Sequence, residues 1–362
     1  MGEMQLTGKA LYTARPTLRI DGQEQPEAER QLLSMRMHEQ EGGLSSLEME
    51  FGNVASREDG GAGPAFEDER VFRLGAEIKV YSGAVGGPTE IFGGRISALG
   101  LEVGPDGPPR LCLHAEDKLA AARLARRSEV YEQQAPADIA RAIAGRHGLT
   151  PVIDGLDQPR GSWVQLNESD LGFLRRLLQR FAADVQVVGS ELHVAPWMKV
   201  RRNEIELRLH SQLLSLRAMA DLAQQATCVR VTGFDPEQGQ AISADSATTD
   251  LGPGAGRKGH ELLQQLFGER IEQLGWQLAL TQEEAQQLAD AQFAQRARGF
   301  TRVQGACEGN PALRVGSQLR IKDVSPRFDN LYYVTACSHR YDMKRGYETG
   351  FCAESAFLGN PA

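Results

Sequence analysis

Aromatic residues are scarce, at 6% of a 362-residue chain, whereas glycine reaches 39. That balance favours short strands and turns over an aromatic-lined substrate pocket. No apolar run approaches the roughly 20 residues that a membrane-spanning helix needs. The segment Met1 to Ala10 carries Glu3 and Lys9 and has no apolar stretch, so no secretion signal is read there. The five cysteines (Cys112, Cys228, Cys307, Cys337, Cys352) are odd in number and never form C-x-x-C. A disulfide framework or a zinc knuckle is therefore not expected, and small buried side chains in a reducing compartment are. Basic excess is missing too. The net charge is −8, and all of it sits in residues 1–118, with 12 Lys/Arg against 20 Asp/Glu. No stretch is basic enough to advertise nucleic-acid binding.

Catalytic signatures are equally sparse. Gly252 to Gly259 reads GPGAGRKG, but Arg257 separates Gly256 from Lys258, and Gly259 stands where a phosphate loop needs a hydroxyl. No G-x-G-x-x-G follows a strand, and no G-x-S-x-G elbow occurs. None of the seven histidines forms an H-E-x-x-H pair. His114 with Glu116 and Asp117 comes nearest to a metal cluster, and it reads as a strand end with solvated acids. Arg175, Arg176 and Arg180 read as the solvated flank of a helix. The expectation is a structural or binding protein, not an enzyme, with no cofactor, metal or catalytic residue.

What the chain does have is mixed soluble character, 41% apolar and 24% charged, and enough length for two or three domains at roughly 150 residues each. Leu33 to Met37 and Leu47 to Phe51 alternate as half-buried strands do. Val71 to Tyr81, Glu90 to Val103 and Leu111 to Leu113 continue the pattern, split by Gly/Pro turns. From Pro136 the chain turns helical, with Ile139 and Ile143 on one face and Gly148 just past the end. A strand at Trp163 to Leu166 leads to a helix capped by Asn167 or Ser169. Its buried stripe is Leu171, Leu174, Leu178 and Phe181. A hairpin turns at Gly189-Ser190. Strands resume at Cys228 to Gly233, a T-x-x-E box at Thr281 to Glu284 opens a further helix, and strands close the chain after Phe300. Trp163, Trp197 and Trp276 read as core. The fold class is α+β, mainly β.

Several segments together carry a resemblance. Trp163, Gln165, Asn167, Glu168, Ser169, Asp170, Phe173, Leu174 and Leu177 follow a V-Q-x-N-E-S-D-x-x-F-L-x-R-L pattern. Asp117 to Leu119, Arg126-Arg127, Ala137 to Ala140 and His147-Gly148-Leu149 precede it. Val229 to Asp235, with Gly233 and Asp235, then Gly309 to Ser317, with Gly316, then Tyr332 to His339, with Tyr333 and His339, and a closing Tyr347-Glu348-Thr349 follow in order. Taken together over roughly residues 15 to 355, the sequence resembles the phage late-control gene D and contractile-tail baseplate hub family, including the hub part of valine–glycine repeat proteins.

The resemblance implies two tail-tube-like β-barrel domains with an α+β domain between them. The expected boundaries are 1–118 for the first barrel and 119–205 for the middle domain. The second barrel takes 206–245 and 300–362, with a loop and helical insertion at 246–299. The resemblance also implies a homotrimer that adapts a sixfold tail tube to a threefold central spike, with other baseplate proteins as neighbours and no sequence-specific nucleic acid. Because the sequence stops at Ala362, the spike is expected to be a separate polypeptide. Assembly in the bacterial cytoplasm, then incorporation into a phage tail, tailocin or released injection particle, goes with that reading. A tail-associated cell-wall hydrolase and a carbohydrate-binding module are the rival functions.

Overall fold

The computed structural model describes residues 15–56, 61–82, 88–105, 107–200, 202–236, 238–275 and 279–360. Its largest element is a 13-stranded sheet assembled from both ends of the chain. The N-terminal part supplies β1 (Thr17–Ile20), β2 (Leu32–Gln40), β3 (Ser46–Gly52), β4 (Glu77–Ser82), β5 (Thr89–Glu102) and β6 (Arg110–Glu116). The alternation visible in the sequence is what buries them. Met35 and Met37 on β2, and Leu47, Met49 and Phe51 on β3, point into one core, while Arg36, His38 and Glu48 face outward. Val71 to Ala76 does not join the strand expected there, because Gly75 takes a positive φ of 82° and turns the chain before β4.

The middle region holds β7 (Arg126–Gln134), α1 (Pro136–Arg146), β8 (Thr150–Ile153), β9 (Gly161–Ser169), α2 (Asp170–Gln179), β10 (Ala183–Val188) and β11 (Glu191–Pro196). β7 pairs with β9, and β8, β11 and β10 form a small mixed sheet. Of the two candidate caps, Ser169 is the one used: its hydroxyl accepts the Gly172 N–H at 3.1 Å. Leu171, Leu174, Leu178 and Phe181 all lie in the core of this region, joined by Phe173 and Leu177. Leu174 is fully buried, so Leu174→Ala should cost about 2–5 kcal/mol in urea melts. A loss under about 0.5 kcal/mol, the usual size for a surface position, would contradict that placement.

After β12 (Glu204–Arg208) and β13 (Leu213–Ala220) come β14 (Cys228–Asp235), β15 (Gln240–Ser246), β16 (Ile271–Leu274) and α3 (Gln282–Arg298). The sequence reading grouped β14 and β15 with the closing strands. The structure pairs them with β16 in a separate three-stranded sheet covered by α3, with its own core around Val229, Val231, Leu288 and Phe293. Trp276 lies outside the described residues. The chain then ends in β17 (Thr301–Glu308), β18 (Gln318–Lys322), β19 (Leu331–Asp342) and β20 (Gly346–Ser355).

The large sheet contains the same unit twice. The N-terminal strands lie in the order β2-β3-β6-β5-β4-β1 and the C-terminal ones in the order β13-β17-β20-β19-β18-β12. In both, the sheet order is second, third, sixth, fifth, fourth, first of the unit. The irregularities coincide. β2 shifts register against β3 between Leu32 and Ser34, and β13 shifts against β17 between Leu213 and Ser215. β5 shifts against β6 between Ile96 and Ala98, and β19 shifts against β20 between Val334 and Ala336. Gly75 donates its N–H to the Ile96 carbonyl at 2.8 Å, and Gly316, at φ 83°, donates to Val334 at 2.9 Å. Around these glycines the sequences FRLGAEIKV (72–80) and LRVGSQLRI (313–321) are themselves alike. The units differ in their first strand, since β1 runs antiparallel to β4 and β12 runs parallel to β18. Among the described residues neither unit closes into a barrel by hydrogen bonding, and the outer edge of β2 is instead taken by β19.

Candidate functional site

The two units meet at a seam where β2 runs antiparallel to the second half of β19, from Ala336 opposite Gln40 to Asp342 opposite Ser34. Eight strands from β13 to β5 thereby form one continuous surface. Its outward side carries short polar and charged groups in cross-strand rows, such as Arg340, Arg36, Glu48 and His114. Nothing in these rows converges as an acid–base or nucleophile constellation would.

The seam is locked underneath by two buried ion-pair clusters, each built from residues far apart in the chain. Glu39, on β2 and 1% exposed, accepts the Arg314 Nε–H at 2.9 Å, its Nη2–H at 2.6 Å and the Val315 N–H at 2.6 Å. Burial penalises the Glu39 charge, but the Arg314 guanidinium and the Val315 amide outweigh that penalty, so the carboxyl sits below its ordinary value. Beside it His339 is fully buried and bonds Tyr347 Oη through Nδ1 at 2.7 Å. Burial, helped by the Arg314 charge, pushes His339 down to about 3, so it is neutral at physiological pH. Gly316 supplies the tight turn that presents Arg314 and Val315; a Cβ there would approach Val200 Cγ1 to 2.5 Å.

In the second cluster Arg298, at the end of α3, donates to Glu41 Oε1 and Oε2 at 2.8 and 2.7 Å and to Glu354 Oε2 at 3.0 Å. Its guanidinium stacks over Trp197 at 4.7 Å and Tyr333 at 5.2 Å. Burial, reinforced by Asp184 and Glu354, pushes Glu41 up to about 7 against the pull of Arg298. N-terminal unit, C-terminal unit, middle region and α3 thus converge on one guanidinium. Arg180 of the middle region adds a tie to Glu284 on α3 at 2.5 Å. Glu284 sits at N3 of the expected box, where Thr281 accepts its N–H, but its own carboxylate reaches Leu280 N–H and Arg180.

The remaining motif residues gather in the middle region around Asp170. That carboxylate, 1% exposed, accepts from Arg146 Nη1 at 2.8 Å and Gln165 Nε2 at 3.0 Å and bonds His147 Nε2 at 2.8 Å. Arg127 lies at 3.6 Å. Burial opposes its charge, yet the bonds from Gln165, His147 and Arg146 together hold its pKa below the usual carboxylate value. Trp163 donates its indole N–H to the Gln134 carbonyl at 2.8 Å, and Glu168 is bidentate to Arg176 at 2.9 and 2.7 Å. Asn167 takes a positive φ of 49°, and Phe173 stacks on Tyr131 at 5.4 Å. Leu174 and Leu177 are core. Gly233 and Asp235 stand apart on β14. A Cβ at Gly233 would meet the Ala279 carbonyl oxygen at 2.1 Å, and Asp235 accepts the Gln238 N–H at 3.0 Å. The motif residues therefore form three separate structural knots, at Asp170, at β14 and at the seam.

Asp117, read from sequence as a solvated acid beside His114, is buried and accepts from Ser45 N–H at 2.6 Å and Leu119 N–H at 2.9 Å. Cys307 and Cys337 are buried, the other three cysteines are half-buried, and all five are free. Among the described residues no group of three or more His, Cys, Asp or Glu could hold a metal, and no helix is long and apolar enough to cross a membrane.

Sequence comparison places this architecture. Residues 44–342 match the Alg8 N-terminal domain family. The chain belongs to that family. No curated protein matches the sequence. Solved structures that share its fold include the following three. The 43 kDa tail protein of prophage MuSo2 from Shewanella oneidensis superposes with a TM-score of 0.69 at 12% identity, covering 94% of this chain and 97% of that one. The tail protein from Neisseria meningitidis MC58 gives 0.63 at 10%, covering 94% and 96%. The E. coli c3393 protein gives 0.59 at 14%, covering 95% and 79%; it is described as a component of the type VI secretion system with structural similarity to T4 bacteriophage tail proteins gp27 and gp5. The fold that this Alg8 N-terminal domain family member adopts is thus one also found in phage tail and type VI secretion proteins.

Proposed function

We propose that the protein is a structural hub of a contractile tail or injection particle, a homotrimer joining a sixfold tail tube to a threefold spike. The observation that carries this reading is the doubled six-strand unit with matching bulges. Each unit stands for one tube-like barrel. Three chains that each carry the unit twice present six equivalent units in a ring of threefold symmetry, which is what a six-to-three adaptor requires. The sharing of its fold with two tail proteins and a type VI secretion component supports the setting. The α3 subdomain, locked to the ring by Arg298, and the middle region, tied to α3 by Arg180, are the parts left to reach the spike and the other baseplate proteins. The test is a reconstruction of the assembled particle by electron cryomicroscopy. Three copies in one layer between tube and spike are expected; six copies there, or a location away from that junction, would refute the proposal.

A further inference from the structure

The duplicated unit makes only one of its two equivalent edge contacts within the chain. At the seam, the second strand of the N-terminal unit (β2) pairs with the second half of the fifth strand of the C-terminal unit (β19). The equivalent partners are β13 and the second half of β5. They lie at the two ends of the eight-strand surface, and among the described residues β5 beyond Ile96 pairs on one side only, with β6. An unpaired strand edge of this kind is a template for another strand.

Exposure identifies what is missing. Val315, His339 and Tyr341, covered at the seam, are 0%, 0% and 6% exposed. Their equivalents in the N-terminal unit, matched through the shared bulges and the paired glycines, are Leu74, Leu101 and Val103. These are 63%, 60% and 69% exposed. Three aliphatic side chains are thus bare at the very positions that the other unit buries under a β2-type strand. On the other edge Leu216, Ala218 and Ala220 are half-exposed where Met35, Met37 and Glu39 are buried.

We propose that the two open edges mate between copies: β13 of one chain adds antiparallel to the second half of β5 of the next. Carrying the seam register across sets Leu216 opposite Val103, Arg217 opposite Glu102, Ala218 opposite Leu101 and Ala220 opposite Leu99. The seam sets Arg36 against Arg340; the open edges set arginine against glutamate, so this contact is the charge-matched one. The occupant is a second copy because the two edges belong to one chain and complement each other, and a head-to-tail contact of this type closes into a ring. The buried Glu39–Arg314 pair is not repeated. Ala220 stands in for Glu39, and Arg73, the counterpart of Arg314, is held by Asp21 at 2.6 Å. The contact between copies therefore rests on strand pairing and aliphatic cover. This rests on the trimeric reading above and adds to it which edges meet and in which register.

Paired cysteines test it in the full chain. Arg217 and Glu102 are both exposed, so Arg217→Cys with Glu102→Cys leaves the fold undisturbed. Directly opposed Cβ atoms at about 4.5–5.5 Å are within reach of a short cross-linker that carries two thiol-reactive groups, such as a bis-methanethiosulfonate. The double variant should give a covalent ladder ending at three copies, and each single variant none. Arg36→Cys with Arg340→Cys, opposed in the same way at the seam, should link within one chain and shows that the conditions work. Mass is measured in parallel at the highest concentration the protein tolerates. Trimers without a ladder overturn the edge pairing and leave the trimeric reading standing. A ladder closing at another number supports the pairing and overturns the trimer. Monomers without a ladder overturn both.

Discussion

Arg314→Ala should lower the stability of the protein by about 3–5 kcal/mol, because it strands Glu39 in a site with almost no access to water. The carboxylate is 1% exposed and would keep the Val315 amide at 2.6 Å as its hydrogen-bond donor, with only the charge of Arg202 to add to it. Glu39→Ala should cost a comparable amount by leaving the guanidinium unpaired. The double variant Glu39→Leu/Arg314→Met should recover much of the loss, since an apolar replacement removes both desolvation penalties together. Urea melts of these four proteins measure the losses and the recovery, and Glu39→Ala/Arg314→Ala, which closes the cycle with the two single variants, gives the coupling. Single-variant losses under about 1 kcal/mol would mean that β2–β19 pairing holds the seam without the ion pair. The pH dependence has a fixed sign. The folded pKa of Glu39 is depressed, so its contribution is present above the unfolded carboxylate pKa and is lost as pH falls through the folded one. Arg314→Ala should flatten that acid limb.

Most of the local structure was legible in the sequence because it is written in side-chain period. Leu33 to Met37 and Leu47 to Phe51 alternate, and they are strands with one buried face. Leu171, Leu174, Leu178 and Phe181 repeat at helical spacing, and all four are core. Period says that a segment is a strand, but not which strand it meets. That is why Cys228 to Gly233 was grouped with the closing strands, whereas β14 pairs with the short Ile271–Leu274 inside what read as an insertion. The seam clusters were out of reach for a related reason. Glu39 and Arg314, or Glu41 and Arg298, carry no local signal and meet only after the sheet is assembled. One signal was present and missed. FRLGAEIKV and LRVGSQLRI share an arginine, a glycine and four apolar positions at fixed offsets. Both glycines sit at positive φ before a strand, and each repeat anchors its turn on the second strand after it, β5 or β19. The two copies are separated by most of the chain, so no regular period announces them. Once aligned, they set Arg314, paired with the buried Glu39, against Arg73, paired with the exposed Asp21.

Asp170→Ala should cost about 3–5 kcal/mol, on the same argument applied to a denser cluster. Asp170 opens α2 while its carboxylate gathers Arg146, His147 and Gln165 within 3.0 Å and Arg127 at 3.6 Å. Those partners come from β7, the end of α1 and β9, so the carboxylate ties the β7–β9 pair and α1 to one helix start. A negative group there also complements the positive end of the helix dipole. Asp170→Asn separates charge from shape. It retains one acceptor oxygen for Gln165 or Arg146 but loses the charge that offsets two guanidinium groups, so its cost should lie between those of the wild type and Asp170→Ala. The acid dependence follows from the depressed pKa. Wild-type stability should fall as pH drops through the folded value of Asp170, and Asp170→Asn should lose that part of the slope. Denaturant melts from pH 7 down to about pH 3 measure both quantities. Equal acid slopes in wild type and Asp170→Asn would show that Asp170 is not the ionised centre of the cluster, and the motif residues around it would then be held by packing alone.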